Sequence, residues 1–163
     1  MVLVRRTVKV LLLDESDRLL LLSGDELADG RSIWFPVGGG IEDGEDPVTA
    51  VLREIYEETG RREVTIGPEV WNRQHLYSWR GTQTDTHERW FVVRTQQFTP
   101  SPRALTEEEQ TYITGFHWWT AKALASTKEQ VFPPDLGTRL LHLLHNGPPP
   151  SPIDISTRKP NRA

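Results

Sequence analysis

Glu54, Glu57 and Glu58 stand at i, i+3 and i+4 in a segment, Asp46–Thr59, that reads as a helix. At that spacing three carboxylates share one helix face. Like charges crowded there repel one another, and two of the three lie near the helix C-terminus, where the macrodipole disfavours negative charge. A hard divalent cation prefers oxygen ligands and relieves both costs. In isolation Glu-x-x-Glu-Glu describes a solvated helix face, so the segment before it decides. Gly38-Gly-Gly-Ile-Glu-Asp-Gly-Glu45 runs into the helix, and its glycines let backbone approach a ligand closely. Asp46 fits the N-cap, Pro47 the first helical position and Gly60 the stop. Val48, Val51, Leu52 and Ile55 make the expected core face, leaving the helix anchored on one side and acidic on another.

Together these residues resemble the Nudix box, G-x₅-E-x₇-R-E-U-x-E-E-x-G-U, in which U is bulky and apolar. Gly39, Glu45, Arg53, Glu54, Ile55, Glu57, Glu58 and Gly60 occupy the required positions, and Arg61 stands where an apolar residue is usual. That departure touches a packing contact more than the chemistry. The box covers Gly39–Arg61, and a looser resemblance extends over about residues 3–145. It implies an α+β fold, an α/β/α sandwich with a mixed sheet flanked by helices. It also implies hydrolysis of a diphosphate linkage with Mg2+, or alternatively Mn2+, and no covalent intermediate. By the same resemblance Glu54, Glu57 and Glu58 are catalytic metal ligands, joined by the Gly38 carbonyl. Glu45 and Arg53 orient the metal-binding helix, since groups behind the ligands fix them in place. The metal would lower the charge barrier at phosphate and the pKa of an attacking water.

A general base is still useful. Nudix enzymes draw it from the box or a later loop, and Glu107, Glu108 and Glu109 lie in such a loop; Glu109 is favoured, with Glu88 as another candidate. His75, His87 and His117 match no zinc spacing and read as structural or substrate-contacting. For substrate, Gly39 and Gly40 offer backbone approach, and Trp34, just before the glycines, is the best-placed ring to stack on a base. Tyr77 falls where Nudix members acting on diadenosine polyphosphates often carry a tyrosine. Arg5, Arg73 and Arg80 are cations that could meet phosphates, although surface solvation is the favoured reading for each.

The elements that must position these groups are also legible. Thr7–Leu13 and Arg18–Ser23 read as a β-hairpin around Asp14–Asp17, and Ser32–Val37 as a short strand. Gly24–Arg31 and Thr99–Gln110 read as loops. Further strands are expected at Val64–Ile66, Glu69–Trp79, His87–Phe98 and Phe116–Thr120, and helices at Thr120–Ser126 and Asp135–His145. Residues 1–146 form one domain, and 147–163, rich in proline, read as an extended or disordered tail.

Composition narrows the class. A net charge of −4 argues against a nucleic-acid-coating surface, so the expected partner is a nucleotide-type small molecule and nucleic acid is disfavoured, with an RNA-cap or 5′-triphosphate hydrolase left open. No cysteine is present, which excludes thiolate metal sites, a cysteine nucleophile and the isopentenyl-diphosphate isomerase variant of the fold. No apolar run is long enough to span a bilayer, and a cytoplasmic protein is expected. The tail leaves a homodimer open, by crossing to a second subunit. The reading is a hydrolase of a nucleoside diphosphate linked to another moiety: a nucleoside triphosphate, dinucleoside polyphosphate or ADP-ribose type. The competing reading is a non-catalytic Nudix-fold nucleotide sensor; such modules lose box carboxylates, and here all are present.

Overall fold

Alternation along the first strand sorts the molecule into two layers around a sheet. In strand β1 (Val2–Leu13), Val8, Val10 and Leu12 face one side, while Leu11 and Leu13 face the other. A strand this apolar on both faces has to be covered twice. The computed structural model describes residues 2–24, 31–79, 81–101, 105 and 107–156. Its further strands are β2 (Leu19–Gly24), β3 (Ile33–Gly40), β4 (Thr65–Trp79), β5 (Thr82–Arg94), β6 (Ile113–Trp119), β7 (Gln130–Val131) and β8 (Ile153–Asp154). The sheet order is β6-β2-β3-β1-β5-β4-β8, with β7 alongside β3. β1 runs parallel to β5 from Val2↔Gln83 to Leu13↔Arg94, and antiparallel to β3 from Thr7↔Gly40 to Val10↔Val37. The mixed sheet arises because β1 is shared between these two partners.

Helix α1 (Pro47–Thr59) covers one face, burying Ala50, Val51 and Ile55 with Val8, Val10, Val37 and Val93. Burial of Val51 and Ile55 contributes roughly 1.5–3 kcal/mol each. Helices α3 (Ala121–Ser126) and α4 (Leu136–Asn146) cover the other, with Leu124, Leu136, Leu140 and Leu143 against Leu11, Trp71 and Trp90. The result is the expected α/β/α sandwich. The ends of α1 follow the sequence: Asp46 accepts from the Thr49 N–H at 2.9 Å, and Gly60 takes φ 75° and closes onto the Tyr56 carbonyl.

Several local expectations are revised. β1 and β2 meet only at Leu13↔Leu19, because both spend most of their hydrogen bonds on other strands, so the hairpin reduces to its turn. β3 continues through Gly40, since β1 pairs with its glycines. The strand expected at His87–Phe98 starts at Thr82 and ends at Arg94. The loop carrying the three glutamates contains a short helix, α2 (Glu107–Tyr112). Val48 and Leu52 are exposed, and the face of α1 turned inward instead includes Glu54 and Glu58. Within the proline-rich tail, β8 pairs parallel with β4 and Ile155 is buried in the core beside α4; residues 157–163 lie outside the described residues, as do 25–30 and Arg80. Arg61 fills its apolar slot through its own chemistry. Its guanidinium lies 5.0 Å from the Phe98 ring centre, and its Nε donates to the Glu63 carbonyl and Thr95 Oγ1.

Candidate active site

The site forms where the C-terminal half of β3 passes under α1. Gly39 lies against α1 so closely that a methyl group on it would fall 2.3 Å from Glu54 Oε1. The N–H of Gly38 donates to Glu58 Oε1 at 2.9 Å. These contacts explain why glycines stand here: backbone has to reach the carboxylates directly. Glu109, from α2, completes the group. One oxygen each from Glu54, Glu58 and Glu109 lies within 4.8 Å of the others.

Arg53 fixes this arrangement from the side. Its Nε and NH2 form a fork onto both oxygens of Glu45, each at 2.9 Å; NH2 also donates to the Gly40 carbonyl at 2.8 Å, and NH1 donates to Glu54 at 2.9 Å. Such bidentate pairing sets orientation as well as energy. The Arg53 hydrogen bonds hold the Glu45 carboxyl below its ordinary pKa, and Glu45 in turn drives Arg53 further towards its charged form. Glu57 is also held by Arg53 NH1, at 3.3 Å, and is not one of the three converging carboxylates.

Burial and mutual repulsion set the electrostatics of the cluster. Burial raises the pKa of Glu54, with repulsion from Glu57 and Glu109 adding to it and Arg53 opposing. Burial raises Glu58 further, and Glu54 and Glu109 push the same way against the Gly38 N–H and Lys9. Buried carboxylates that close are unfavourable unless neutralised or bound to a cation. An all-oxygen donor set on rigid backbone fits magnesium or manganese. The residues present therefore fit the metal that the box implies.

The remaining candidates fall elsewhere. Glu88 is buried in the middle of β5, on the face covered by α3 and α4. It accepts from Trp90 Nε1 at 3.1 Å, pairs with His75 Nε2 at 3.1 Å and takes Arg73 NH1 at 3.4 Å. The structure does not bring it into the carboxylate cluster. Glu107 is exposed on α2, and the Glu108 side chain lies outside the described residues. Trp34, at the start of β3, packs edge-on against Trp119 and His117 and donates to Glu129 at 3.3 Å. Tyr77 stacks on His75 at 5.4 Å. Gly40 faces Arg5 on the side of the sheet away from α1. His87 pairs with Asp85 at 3.1 Å. Sequence reasoning missed Lys9, whose charge reaches both Glu58 and Glu88. Its signal was a lone cation inside the apolar run Val8–Leu13.

This geometry is that of a known family. The sequence model of the NUDIX domain matches residues 3–139, and the chain belongs to the Nudix family. An RNA pyrophosphohydrolase of Agrobacterium fabrum is 31% identical over 135 residues, covering 70% of this chain and 75% of that one. One of Brucella ovis is 29% identical over 130 residues, covering 71% and 69%. Among solved structures, the MutT protein of Methanosarcina mazei superposes with a TM-score of 0.63 at 15% identity, covering 86% of this chain and 95% of that one. The dihydroneopterin triphosphate pyrophosphohydrolase of E. coli gives 0.63 at 19% identity, covering 90% and 100%. At such identities the structures speak for the fold alone.

Proposed function

We propose that this chain hydrolyses a diphosphate linkage in a nucleoside diphosphate joined to another moiety, using Mg2+ or Mn2+ held by Glu54, Glu58 and Glu109. It is a pyrophosphohydrolase acting on phosphoanhydride bonds. The observation that carries the metal is the convergence of those three carboxylates on backbone at Gly38 and Gly39. The Gly38 carbonyl would add a ligand, and Glu57 would join on release from Arg53. A bound cation would supply charge to the phosphate oxygens and lower the pKa of an attacking water. The chain's own residues do the positioning. Arg53, fixed by Glu45, holds Glu54 where it would meet a metal, and the Gly38 N–H holds Glu58. Where Glu109 is left off the metal, its place on a separate element would suit a group that takes a proton from water as the phosphate is attacked.

The relatives' name makes a 5′-triphosphorylated RNA one substrate of this class to test; the chain's net negative charge favours a free nucleotide. Among the described residues no helix is long and apolar enough to cross a membrane, and a cytoplasmic site of action suits nucleotide chemistry.

The test is incubation with magnesium and a panel: nucleoside triphosphates, dinucleoside polyphosphates, ADP-ribose, NADH, nucleotide sugars and a 5′-triphosphorylated oligoribonucleotide. Glu58→Gln runs in parallel. Metal-dependent product formation that Glu58→Gln abolishes supports the reading and identifies the substrate. Magnesium binding without turnover of any member would favour a nucleotide sensor.

A further inference from the structure

We propose that Lys9 holds the distal part of the substrate's phosphate chain where it passes Gly38, on the face of the sheet opposite the carboxylate cluster of α1. The inference rests on the hydrolase reading above. It begins with register: Lys9 is opposite Gly38 in β3 and Trp90 in β5, on the face away from α1. A methyl group on Gly38 would come within 3.1 Å of Lys9 Cδ, so the lysine stem lies along that glycine.

The charge of Lys9 acts on two buried carboxylates, Glu58 across the sheet and Glu88 on its own face. Neither takes a hydrogen bond from it. Glu58 accepts from the Gly38 N–H, and Glu88 is supplied by Trp90, His75 and Arg73. Among the described residues the Lys9 side chain forms no ion pair within 4.0 Å and no hydrogen bond. A residue serving only as counter-ion would close on one of its two carboxylates. Lys9 instead keeps three ammonium donors unspent and remains partly exposed beside a glycine strip without side chains. A compact, rotatable cation of that kind suits phosphate oxygens. Arg5, whose Nε lies 3.7 Å from a methyl position on Gly40, extends the positive charge along the same strip. A substrate carrying several phosphates is the class this arrangement favours.

The test compares wild type with K9M, K9Q and K9R. Inorganic diphosphate is titrated calorimetrically with calcium present, and KM and kcat are measured with magnesium on the nucleotide that wild type hydrolyses. Lys9→Met is expected to weaken diphosphate binding about ten- to hundredfold, the range of a lost charge-assisted hydrogen bond, and to raise KM similarly. Lys9→Arg should retain most of the affinity, and manganese affinity without diphosphate should stay unchanged in all three. K9Q separates charge from folding should K9M unfold, with melting temperature as the check. Diphosphate affinity within twofold of wild type in the neutral variants overturns the proposal. So does a change confined to manganese affinity, which would make Lys9 a counter-ion of the cluster. If wild type binds diphosphate but turns over no nucleotide, the hydrolase reading fails while the Lys9 contact stands. If wild type binds none, both fail.

Discussion

Replacing Gly39 by alanine should damage the site while sparing the fold. A methyl group there would stand 2.3 Å from Glu54 Oε1, 2.6 Å from its Cδ and 2.9 Å from Oε2. Ordinary non-bonded contact needs about 3.5 Å, so the carboxylate has to retreat by roughly 1 Å. The retreating atoms are the end of a side chain, which makes the move cheap for the fold. It is costly for the site, because Glu54 leaves the oxygen cluster and loses its 2.9 Å contact with Arg53. A misplacement of about 1 Å in a reacting geometry lowers rates on the order of a hundredfold. Gly39→Ala should therefore lose about two orders of magnitude in kcat/KM and bind manganese more weakly, with a melting temperature within about 3 °C of wild type, corresponding to under 1 kcal/mol. A double-mutant cycle isolates the cause. Once Glu54→Ala has removed the carboxylate, the alanine at 39 has nothing to displace and should cost almost nothing more. Full additivity of the two losses, or activity of Gly39→Ala within threefold of wild type, would refute the steric account.

Arg53→Lys keeps the charge but loses the fork onto Glu45 and the link to the Gly40 carbonyl; activity should fall about ten- to hundredfold while circular dichroism stays native. Glu88 has its pKa pushed up by burial but brought below the ordinary value overall by His75, Lys9 and Arg73. Its ionised form thus adds stability above the unfolded value of about 4.3, and that stability is lost as pH falls through the lower folded value. Glu88→Gln should accordingly melt below wild type at pH 7, with the gap closing below about pH 4 in a pH series of thermal melts. Ile155→Ala should cost about 2–4 kcal/mol in urea denaturation, since the residue is 3% exposed within the core; a loss under about 0.5 kcal/mol would mean the segment after α4 does not dock.

The carboxylate helix was legible because a short spaced motif carried its caps, its glycines and its glutamates together. In the structure Glu54 and Glu58 lie with Glu109, while Glu57, expected beside them, is held by Arg53, which also bonds Glu45 and Glu54. The sense in which the helix is amphipathic was not legible. Periodicity assigns Leu52 inward and Glu58 outward, but a functional site inverts that order, leaving Leu52 at 42% exposure and Glu58 at 4%. Register was equally hidden. Nothing local in Thr7–Leu13 says that the strand spends its bonds on β3 and β5 rather than on the adjacent β2, and the row of buried Glu88 and Arg73 with half-buried His75 follows only from the pairing of β4 with β5. The proline-rich segment after α4 read as unable to bury surface, yet a single isoleucine and two paired residues dock it on β4.

The twelve-residue parallel pairing of β1 with β5 also governs the order in which the molecule can assemble. Val2 meets Gln83 and Leu13 meets Arg94, so a loop of about eighty residues has to close before the apolar stretch Val8–Leu13 is covered. Partnerships this distant slow folding towards the millisecond-to-second range and leave unpaired strand edges exposed meanwhile. β3 and α1 are made in the interval and can form early on β1, carrying Glu54 and Glu58 with them, whereas Glu109 lies beyond β5. In a nascent chain two buried carboxylates would thus be brought together before the third arrives, and a divalent cation available at that stage would favour the native docking of α1.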